Sequence, residues 1–490
     1  MSEEILVNVS PTETRVAVIE GGQLQEVWME RAGQDSYVGH IYRGTVARVL
    51  PGMQAAFIDI GQERTAFLHA SDLERSPAGA DPGEEGAALV TPPIEQRLRE
   101  QAEVVVQVIR DPIGGKGARL TMSPSIASRF LVLLPGAGTV AVSSRIEEGP
   151  ERERLVAEVE ALRDSEAGEG FIIRTNAEGM DAEAFAADMR YLRATWDDIL
   201  ARQHSGKQCI YAAPALPLRV LRDRLHAGIE RVRIDDQASC EAAEAFVGRF
   251  LPHWSGRVEP YQSDRPLFDL HGVEDEIERA LKRRSDLKSG GYLVIDQTEA
   301  MTTIDVNTGA FVGRRTQEET VFKTNLEAAQ AIARQLRLRN LGGIIIIDFI
   351  DMSEPAHRDQ VLRTLETALA RDPARTRVFE FSALGLVEMT RKRTTGSLGQ
   401  ALCEPCPACT GSGLVKSVAT VCLEIIREIM RSGRQFEASR LLVMASPAVV
   451  DQLLDEHSAT IAELEGQLGR TIQLQRESQF MQEQFDVVLL

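Results

Sequence analysis

Two apolar segments in the second half of the chain each end on acidic residues. Tyr292-Leu-Val-Ile-Asp-Gln-Thr-Glu-Ala-Met-Thr-Thr-Ile-Asp-Val-Asn307 delivers Asp305 and Asn307. Gly342-Gly-Ile-Ile-Ile-Ile-Asp-Phe-Ile-Asp-Met352 delivers Asp348. Four consecutive isoleucines predict a strand buried on both faces. An aspartate placed directly after such a run belongs at the sheet's mouth or beside a partner, because an unpaired buried carboxylate is very costly. Asp305 and Asn307 are two apart, so on a strand they point to the same side. Mg²⁺ takes one or two carboxylates and completes its shell with water and substrate phosphate. Asp305 and Asp348 meet that requirement, and Asn307 can hold a metal-bound water or the scissile phosphate. The chemistry on offer is a polarised phosphate and an activated water. The plainer reading makes the same aspartates turn or cap residues at strand ends. Asp351 and Glu299 compete for the same role, and spacing does not separate them.

The intervening segment explains how these residues would be brought together. Thr316-Gln-Glu-Glu319 is a capping box. Phe322, Leu326, Ala329, Ala333 and Leu336 then hold one helical face, and Gly342 stands just past the end. Strand, helix, strand is a parallel crossover, which places Asp305 and Asp348 at one sheet edge. Further upstream, Ile5 to Trp28 reads as short strands joined at Gly21-Gly22. Short alternating segments at 40–50, 55–61, 65–69 and 104–109, with Gly/Pro turns, predict a small β-barrel. The Gly-, Pro- and acid-rich stretch from Ser76 to Pro93 reads as a loop inserted in it. Strand and helix patterns alternate from 119 to 214. Residues 215–278 are mixed, with Asp235, Asp236, Glu259 and Asp269 near strand ends, and 415–490 reads as a small α/β appendix.

A chain of 490 residues suggests three or four domains at roughly 150 residues each. No segment approaches the ~20 apolar residues that span a bilayer. The acidic start, Met1-Ser-Glu-Glu, lacks a signal peptide's cationic region, so a cytoplasmic location is expected. A net charge of −18 argues against general coating of nucleic acid. Local basic groups remain at Lys282-Arg-Arg284 and Arg391-Lys-Arg393, either a phosphate track beside the aspartates or a solvated face. Six cysteines form no disulfide framework, but Cys403, Cys406 and Cys409 cluster, which points to metal or redox work. Cys406-Pro-Ala-Cys409 supplies two of the four ligands a structural zinc requires. Two chains together would complete the set, with Cys403 a third ligand or a bystander. The redox alternative lacks a strand–CxxC–helix context.

Five of these segments resemble one family. They are Leu287-Lys-Ser-Gly-Gly-Tyr-Leu-Val-Ile-Asp, Ile304-Asp-Val-Asn-Thr-Gly, Asn325-Leu-Glu-Ala-Ala, Gln335-Leu-Arg-Leu-Arg-Asn-Leu-Gly-Gly and Ile347-Asp-Phe-Ile-Asp-Met. All are similar to motifs of the ribonuclease E/G family and keep its order. The resemblance implies that Asp305 and Asp348 bind catalytic Mg²⁺, with Asn307 the motif asparagine. Gly39-His-Ile-Tyr-Arg-Gly and Ala55-Ala-Phe-Ile-Asp-Ile-Gly resemble an S1 domain, an OB-type RNA-binding barrel. Phe57 and Phe67 would then be base-stacking platforms, each worth roughly 1–3 kcal/mol, although either phenylalanine taken alone reads as core. Lys116, in Gly114-Gly-Lys-Gly117, matches a basic RNA-contacting residue. Ile172-Ile-Arg-Thr175 matches a 5′-end sensor, in which Arg174 and Thr175 would hold a terminal phosphate. Ser143-Ser-Arg145 departs from the double-arginine form found in part of the family.

The implied fold is multidomain α/β and α+β. An RNase H-like domain (1–35 and 215–278) would carry an inserted S1 domain (36–118) and a 5′-sensor domain (119–214). A DNase I-like catalytic domain (279–400), a zinc link (401–414) and a small C-terminal α/β domain (415–490) would follow. The implied activity is Mg²⁺-dependent endonucleolytic cleavage of single-stranded, A/U-rich RNA, preferring 5′-monophosphate ends. Its roles would lie in ribosomal RNA 5′-end maturation and messenger RNA decay. Zn²⁺ shared by Cys406 and Cys409 of two chains would make a homodimer, with tetramers left open. Length favours the family's shorter type, though the catalytic half of a longer member would look similar. The rival readings are a non-catalytic RNA-binding scaffold and, less well matched, a DNA nuclease.

Overall fold

Gly21 and Gly22 both take positive φ, 56° and 76°, the conformation a two-residue hairpin turn demands. They join strands Glu13–Glu20 and Gln23–Arg31. Strand Glu3–Val9 pairs with the first of these antiparallel and with the distant strand Ile229–Ile234 in parallel. A five-stranded sheet therefore knits residues 3–31 to 229–260, in the order Val258–Pro260, Ile229–Ile234, Glu3–Val9, Glu13–Glu20, Gln23–Arg31. The computed structural model describes residues 2–32, 36–73, 92–112, 117–164, 168–203, 208–226, 228–250, 254–309, 317–392, 396–435 and 439–490. Lys116, Thr316, Arg393 and nearly all of the loop at 76–93 lie outside the described residues. Two of the early acids are structural. Asp235 accepts from Asn8 Nδ2 and the Val9 amide, and Asp236 accepts from the Ser239 amide at the start of the helix Gln237–Phe250.

Between the two halves of that sheet lie a barrel and a second sheet. Strand Ile41–Leu50 pairs on one side with Ala55–Asp59 and on the other with Glu103–Arg110. The circuit closes through Ala66–His69 and Arg119–Thr121, giving five strands with no open edge. The barrel thus extends past the boundary expected at 118. Its interior is filled by Val46, Ala56, Ile58, Ala66, Leu68, Val106 and Leu120. The neighbouring four-stranded sheet runs in the order Val140–Val142, Gly170–Ile173, Leu131–Leu134, Ile126–Ala127, with helices Pro150–Leu162 and Ala182–Arg202. Asp181 caps the second helix through the Ala184 amide.

The third sheet carries the paired aspartates. Its order is Arg284–Asp286, Tyr292–Gln297, Met301–Asn307, Gly343–Asp348, Leu386–Arg391, Thr376–Phe381. Only Met301–Asn307 and Gly343–Asp348 run parallel, linked by the helix Gln317–Leu338. That helix and Pro355–Leu369 cover one face, where Ile304, Val306, Ile345, Ile347 and Val387 meet Ala329, Ile332, Leu336, Val361 and Leu365. The other face is open. Ile344 is 49% exposed and Ile346 half-buried, so the isoleucine run is not buried on both faces. Because the sheet is mixed and its helices lie on one side only, the second face of the run keeps company with Asp305 and Asp348. Apolar composition alone did not reveal that asymmetry.

Residues 400–490 form a separate unit. Strand Arg440–Ala445 lies between Thr471–Arg476 (parallel) and Phe485–Leu489 (antiparallel). Helices Val418–Gln435, Pro447–Asp455 and Ser458–Leu468 cover it, with Val421, Ile425, Ile429, Leu441 and Val443 buried between them. No helix among the described residues is long and apolar enough to cross a membrane.

Candidate active site

The parallel ladder sets Asp305 directly beside Asp348. Side chains alternate on a strand, and both residues sit on the open face. Asn307 donates from Nδ2 to Asp305 Oδ2 at 2.8 Å, so it orients the first carboxylate. Burial pushes the Asp348 carboxyl above its ordinary pKa, and the negative charges of Asp305 and Asp351 add to the shift. Asp351 therefore belongs to the same cluster. Glu299 does not: it lies in the turn before Met301, six residues up the strand from Asp305, or ~20 Å away.

Residues that sequence reasoning did not single out hold this cluster in place. Asn325, fully buried on the crossover helix, donates to the Ile350 carbonyl at 2.8 Å and accepts from the Ile350 amide at 3.1 Å. Its amide group mimics a strand partner and fixes the turn between Asp348 and Asp351. Two residues further along, Glu327 accepts from the Lys288 and Ser289 amides, anchoring the loop before Tyr292. There a Cβ on Gly291 would lie 2.6 Å from the Asn307 carbonyl oxygen, so only glycine allows the strand ends to close. Both side chains lie within the quoted Asn325-Leu-Glu motif. The visible signal was a polar residue on an otherwise apolar helical face.

The donor set suits a hard divalent cation. Among the described residues no three His, Cys, Asp or Glu side chains converge well enough to hold an ion alone. Two neighbouring carboxylates with mutual repulsion are the protein contribution that Mg²⁺ ordinarily uses. The expected basic track is different from the sequence reading. Arg391 is buried, makes a two-pronged contact with Asp372 (2.7 and 3.1 Å) and donates to the Leu341 carbonyl at 2.7 Å. It braces the root of the Asp348 strand and is withdrawn from any substrate. Arg283 pairs with Asp296, while Arg284 pairs with Asp286 and lies 4.0 Å from the Tyr292 ring centroid.

At the end of strand Gly170–Ile173, Arg174 donates to the Ser128 carbonyl and to Asp223, each at 2.6 Å. Thr175 lies next to it, its hydroxyl 3.5 Å from that of Ser143. Burial alone would raise the Asp223 carboxyl, but hydrogen bonds and charge from Arg222 and Arg174 outweigh it and hold it at about 2. Two guanidiniums thus share one carboxylate, and Arg129 nearby is lowered to about 10 by burial and the Arg174 charge. Arg174, Thr175, Arg222 and Asp223 border a cleft of about 1180 Å³ that also takes in Ser143, Arg145 and Arg371. Arg145 donates to the Asp372 carbonyl at 3.0 Å, which ties this region to the segment leading into the sheet that carries Asp305 and Asp348. A cationic cleft with spare donors is suited to an anion.

On the barrel, Phe57 and Phe67 are cross-strand partners on the outer surface, not core residues. Their neighbours Ala56, Ile58, Ala66 and Leu68 point inward instead. The two rings meet edge to face at 6.1 Å, and His69 stacks 6.4 Å from Phe67. Arg48 and Arg119 are the next register partners on either side, so an aromatic pair is flanked by cations. In the second unit Cys406 is exposed and Cys409 half-buried. The amides of Gly413 and Gly411, with Cys406, lower the Cys409 thiol pKa. A stabilised thiolate in a turn of backbone N–H groups is a fitting zinc ligand. The helix that follows begins only at Val418, and no described strand leads into Cys406, so the thiols are not placed like a redox CxxC.

A model of the ribonuclease E/G family matches residues 125–394. Ribonuclease G of Escherichia coli K12 is 51% identical over 492 residues, covering 100% of both chains. The chain belongs to the ribonuclease E/G family. Ribonuclease G of Haemophilus influenzae is 49% identical over 99% of each chain. Ribonuclease E of E. coli K12 is 35% identical over 94% of this chain and 44% of its own length. A second model, described as the RNase E/G thioredoxin-like domain, matches residues 405–489. Within the range matched by the ribonuclease E/G family model lie the carboxylate cluster, Asn325, Arg174 and Asp223, whereas the barrel precedes it.

Proposed function

We propose that this chain is a Mg²⁺-dependent endoribonuclease acting on single-stranded RNA. The observation that carries the reading is the side-by-side placement of Asp305 and Asp348, with Asp351 adjacent, on the open face of a sheet in a ribonuclease E/G family member. Asp305 and Asp348 would hold the ion, and when bound it supplies Lewis-acid polarisation of the phosphate and a more acidic water. Asn307 keeps Asp305 turned to receive it. Asn325 does the same for the backbone after Asp348. Cleavage leaves a 5′-phosphate and a 3′-hydroxyl. Phe57 and Phe67 stack bases on the barrel's outer face, with Arg48 and Arg119 near the backbone phosphates, and Lys116 is a further RNA-contacting residue by its motif. Arg174 and Thr175 select a 5′-monophosphate. A/U-rich single strands in ribosomal RNA precursors and messenger RNA are the substrates.

The domain reading follows the same lines. Residues 1–35 with 215–278 are RNase H-like, 36–121 an S1 barrel, 122–214 a 5′-sensor domain and 279–400 a DNase I-like catalytic domain. Cys406 and Cys409 of two chains share one Zn²⁺ to make a homodimer of this cytoplasmic enzyme. The deciding experiment compares wild type with Asp305→Asn on one RNA bearing a 5′-monophosphate or a 5′-hydroxyl, with Mg²⁺ present and then chelated. Wild type should cut only with Mg²⁺, fastest on the monophosphate, and the variant should bind RNA without cutting it. Undiminished cleavage by the variant overturns the metal assignment, and RNA binding by wild type without any cleavage in Mg²⁺ leaves the RNA-binding scaffold as the better account.

A further inference from the structure

The hairpin joining the edge strand Thr376–Phe381 to Leu386–Arg391 turns through Ser382-Ala-Leu-Gly385. Three hydrogen bonds close it. The Ser382 amide donates to the Leu386 carbonyl at 2.8 Å, the Gly385 amide to the Ser382 carbonyl at 2.9 Å, and the Leu386 amide to Ser382 Oγ at 3.2 Å. Gly385 takes φ +81°, and a Cβ built on it would lie 3.8 Å from Asp351 Oδ1. Leu386 is the register partner of Asp348. The turn therefore stands against the carboxylate cluster. At its tip Leu384 is 85% exposed, where turns ordinarily carry small or polar residues.

An apolar side chain held out in water by a well-bonded turn adds nothing to the core, so its use lies with what comes to the site. On the same hairpin Phe379 is 40% exposed, with the Arg377 guanidinium 4.9 Å from its ring centroid. Apolar surface alternating with a stacked cation beside a phosphate-directed site matches the chemistry of an unpaired base and its backbone. We propose that Leu384 packs against a nucleobase of single-stranded RNA next to the phosphodiester held at Asp305 and Asp348, and so helps decide which phosphodiester is presented. This rests on the endoribonuclease reading. A leucine offers no hydrogen bond, so the contact selects an unstacked base by its face and not by its identity. It acts on substrate placement and leaves the carboxylates untouched.

The test uses the full chain, Leu384→Ala and Leu384→Asn, each checked for an unchanged melting profile. Substrates are one end-labelled single-stranded RNA and a series with a single abasic nucleotide at each position flanking the cleaved bond. Leu384→Ala should lower kcat/KM on intact RNA by roughly 10-fold, the low end for an apolar contact in a recognition site. At one flanking position the abasic change should cost wild type a similar factor and cost the variants nothing. Equal abasic penalties in wild type and variants at every position would overturn the proposal. So would a change in sedimentation on substitution, which would assign Leu384 to contact with a second copy of the chain. If wild type cuts no RNA in Mg²⁺, the endoribonuclease reading fails, and this contact with it.

Discussion

The carboxylate cluster and the arginine cleft treat charge in opposite ways. On the open sheet face Asp305, Asp348 and Asp351 are like charges set close together, and their repulsion adds to burial in raising the Asp348 carboxyl. In the cleft, Arg174 and Arg222 are held by Asp223, whose carboxyl sits at about 2. In the proposed reading a cation completes the first arrangement, whose carboxylates face solvent. The second is largely satisfied within the protein, with only a surplus of positive charge offered outward. The contrast separates the tasks. Unrelieved repulsion is a means of binding a reactive ion tightly, whereas a pre-paired fork can discriminate among chain ends without being needed for bond breaking.

The sharpest way to break that contrast is to remove the repulsion. Asp348→Asn should lower cleavage more than ~100-fold, beyond what losing a residue that merely supports a metal ligand costs. Binding of an ion to the folded state alone raises its melting temperature. Mg²⁺ should therefore shift the wild-type midpoint upward and leave that of Asp348→Asn where it was, as read by calorimetry. Asn325→Ala comes next. It leaves the Ile350 amide and carbonyl without their buried partner, at a cost of about 1–3 kcal/mol in urea denaturation. It should also slow cleavage by ~10–100-fold through a misplaced Asp348–Asp351 turn. Normal kcat with the stability loss alone would show that the turn needs no such support.

Much of the first region was legible in the sequence and less of the second. The capping and periodicity of 317–338 imply a crossover, and a crossover between two strands ending in aspartate forces Asp305 and Asp348 together. What the apolar pattern hid was sidedness. Ile344 and Ile347 look alike in sequence, yet one faces solvent beside the site and the other the helices, because only one face of the mixed sheet is covered. Arg391 shows the reverse error: a basic run read as surface contains a residue buried against Asp372. Arg174 could be picked out only by its motif, since its partners Ser128 and Asp223 come from distant segments. Phe57 and Phe67 needed the barrel's inward set before their outward direction could be known.

Two smaller effects sharpen the comparison from the cleft side. Arg174→Ala removes a charge-assisted donor worth about 1.5 kcal/mol or more, so the advantage of a 5′-monophosphate over a 5′-hydroxyl should shrink about 10-fold. Cleavage of the hydroxyl-ended RNA should stay at the wild-type rate. If both substrates slow equally, the cleft takes part in the bond-breaking step and the division of tasks is wrong.

The pH response of Asp223 is the mildest of these tests. Its carboxyl is lowered from 3.8 to about 2 in the folded chain, so the folded state binds that proton less readily than the unfolded state does. A depressed carboxyl contributes stability that is present above the unfolded value and is lost as pH falls through the folded one. The window therefore runs from about pH 4 down to about pH 2. The Asp223 side chain is 36% exposed, so solvent screens the pairing and the effect is modest. Urea midpoints of wild type and Asp223→Asn should differ most near pH 5 and converge only as the pH falls through about 2. A difference that held constant across that range would mean that packing around Asp223, and not its charge, keeps the two arginines in place.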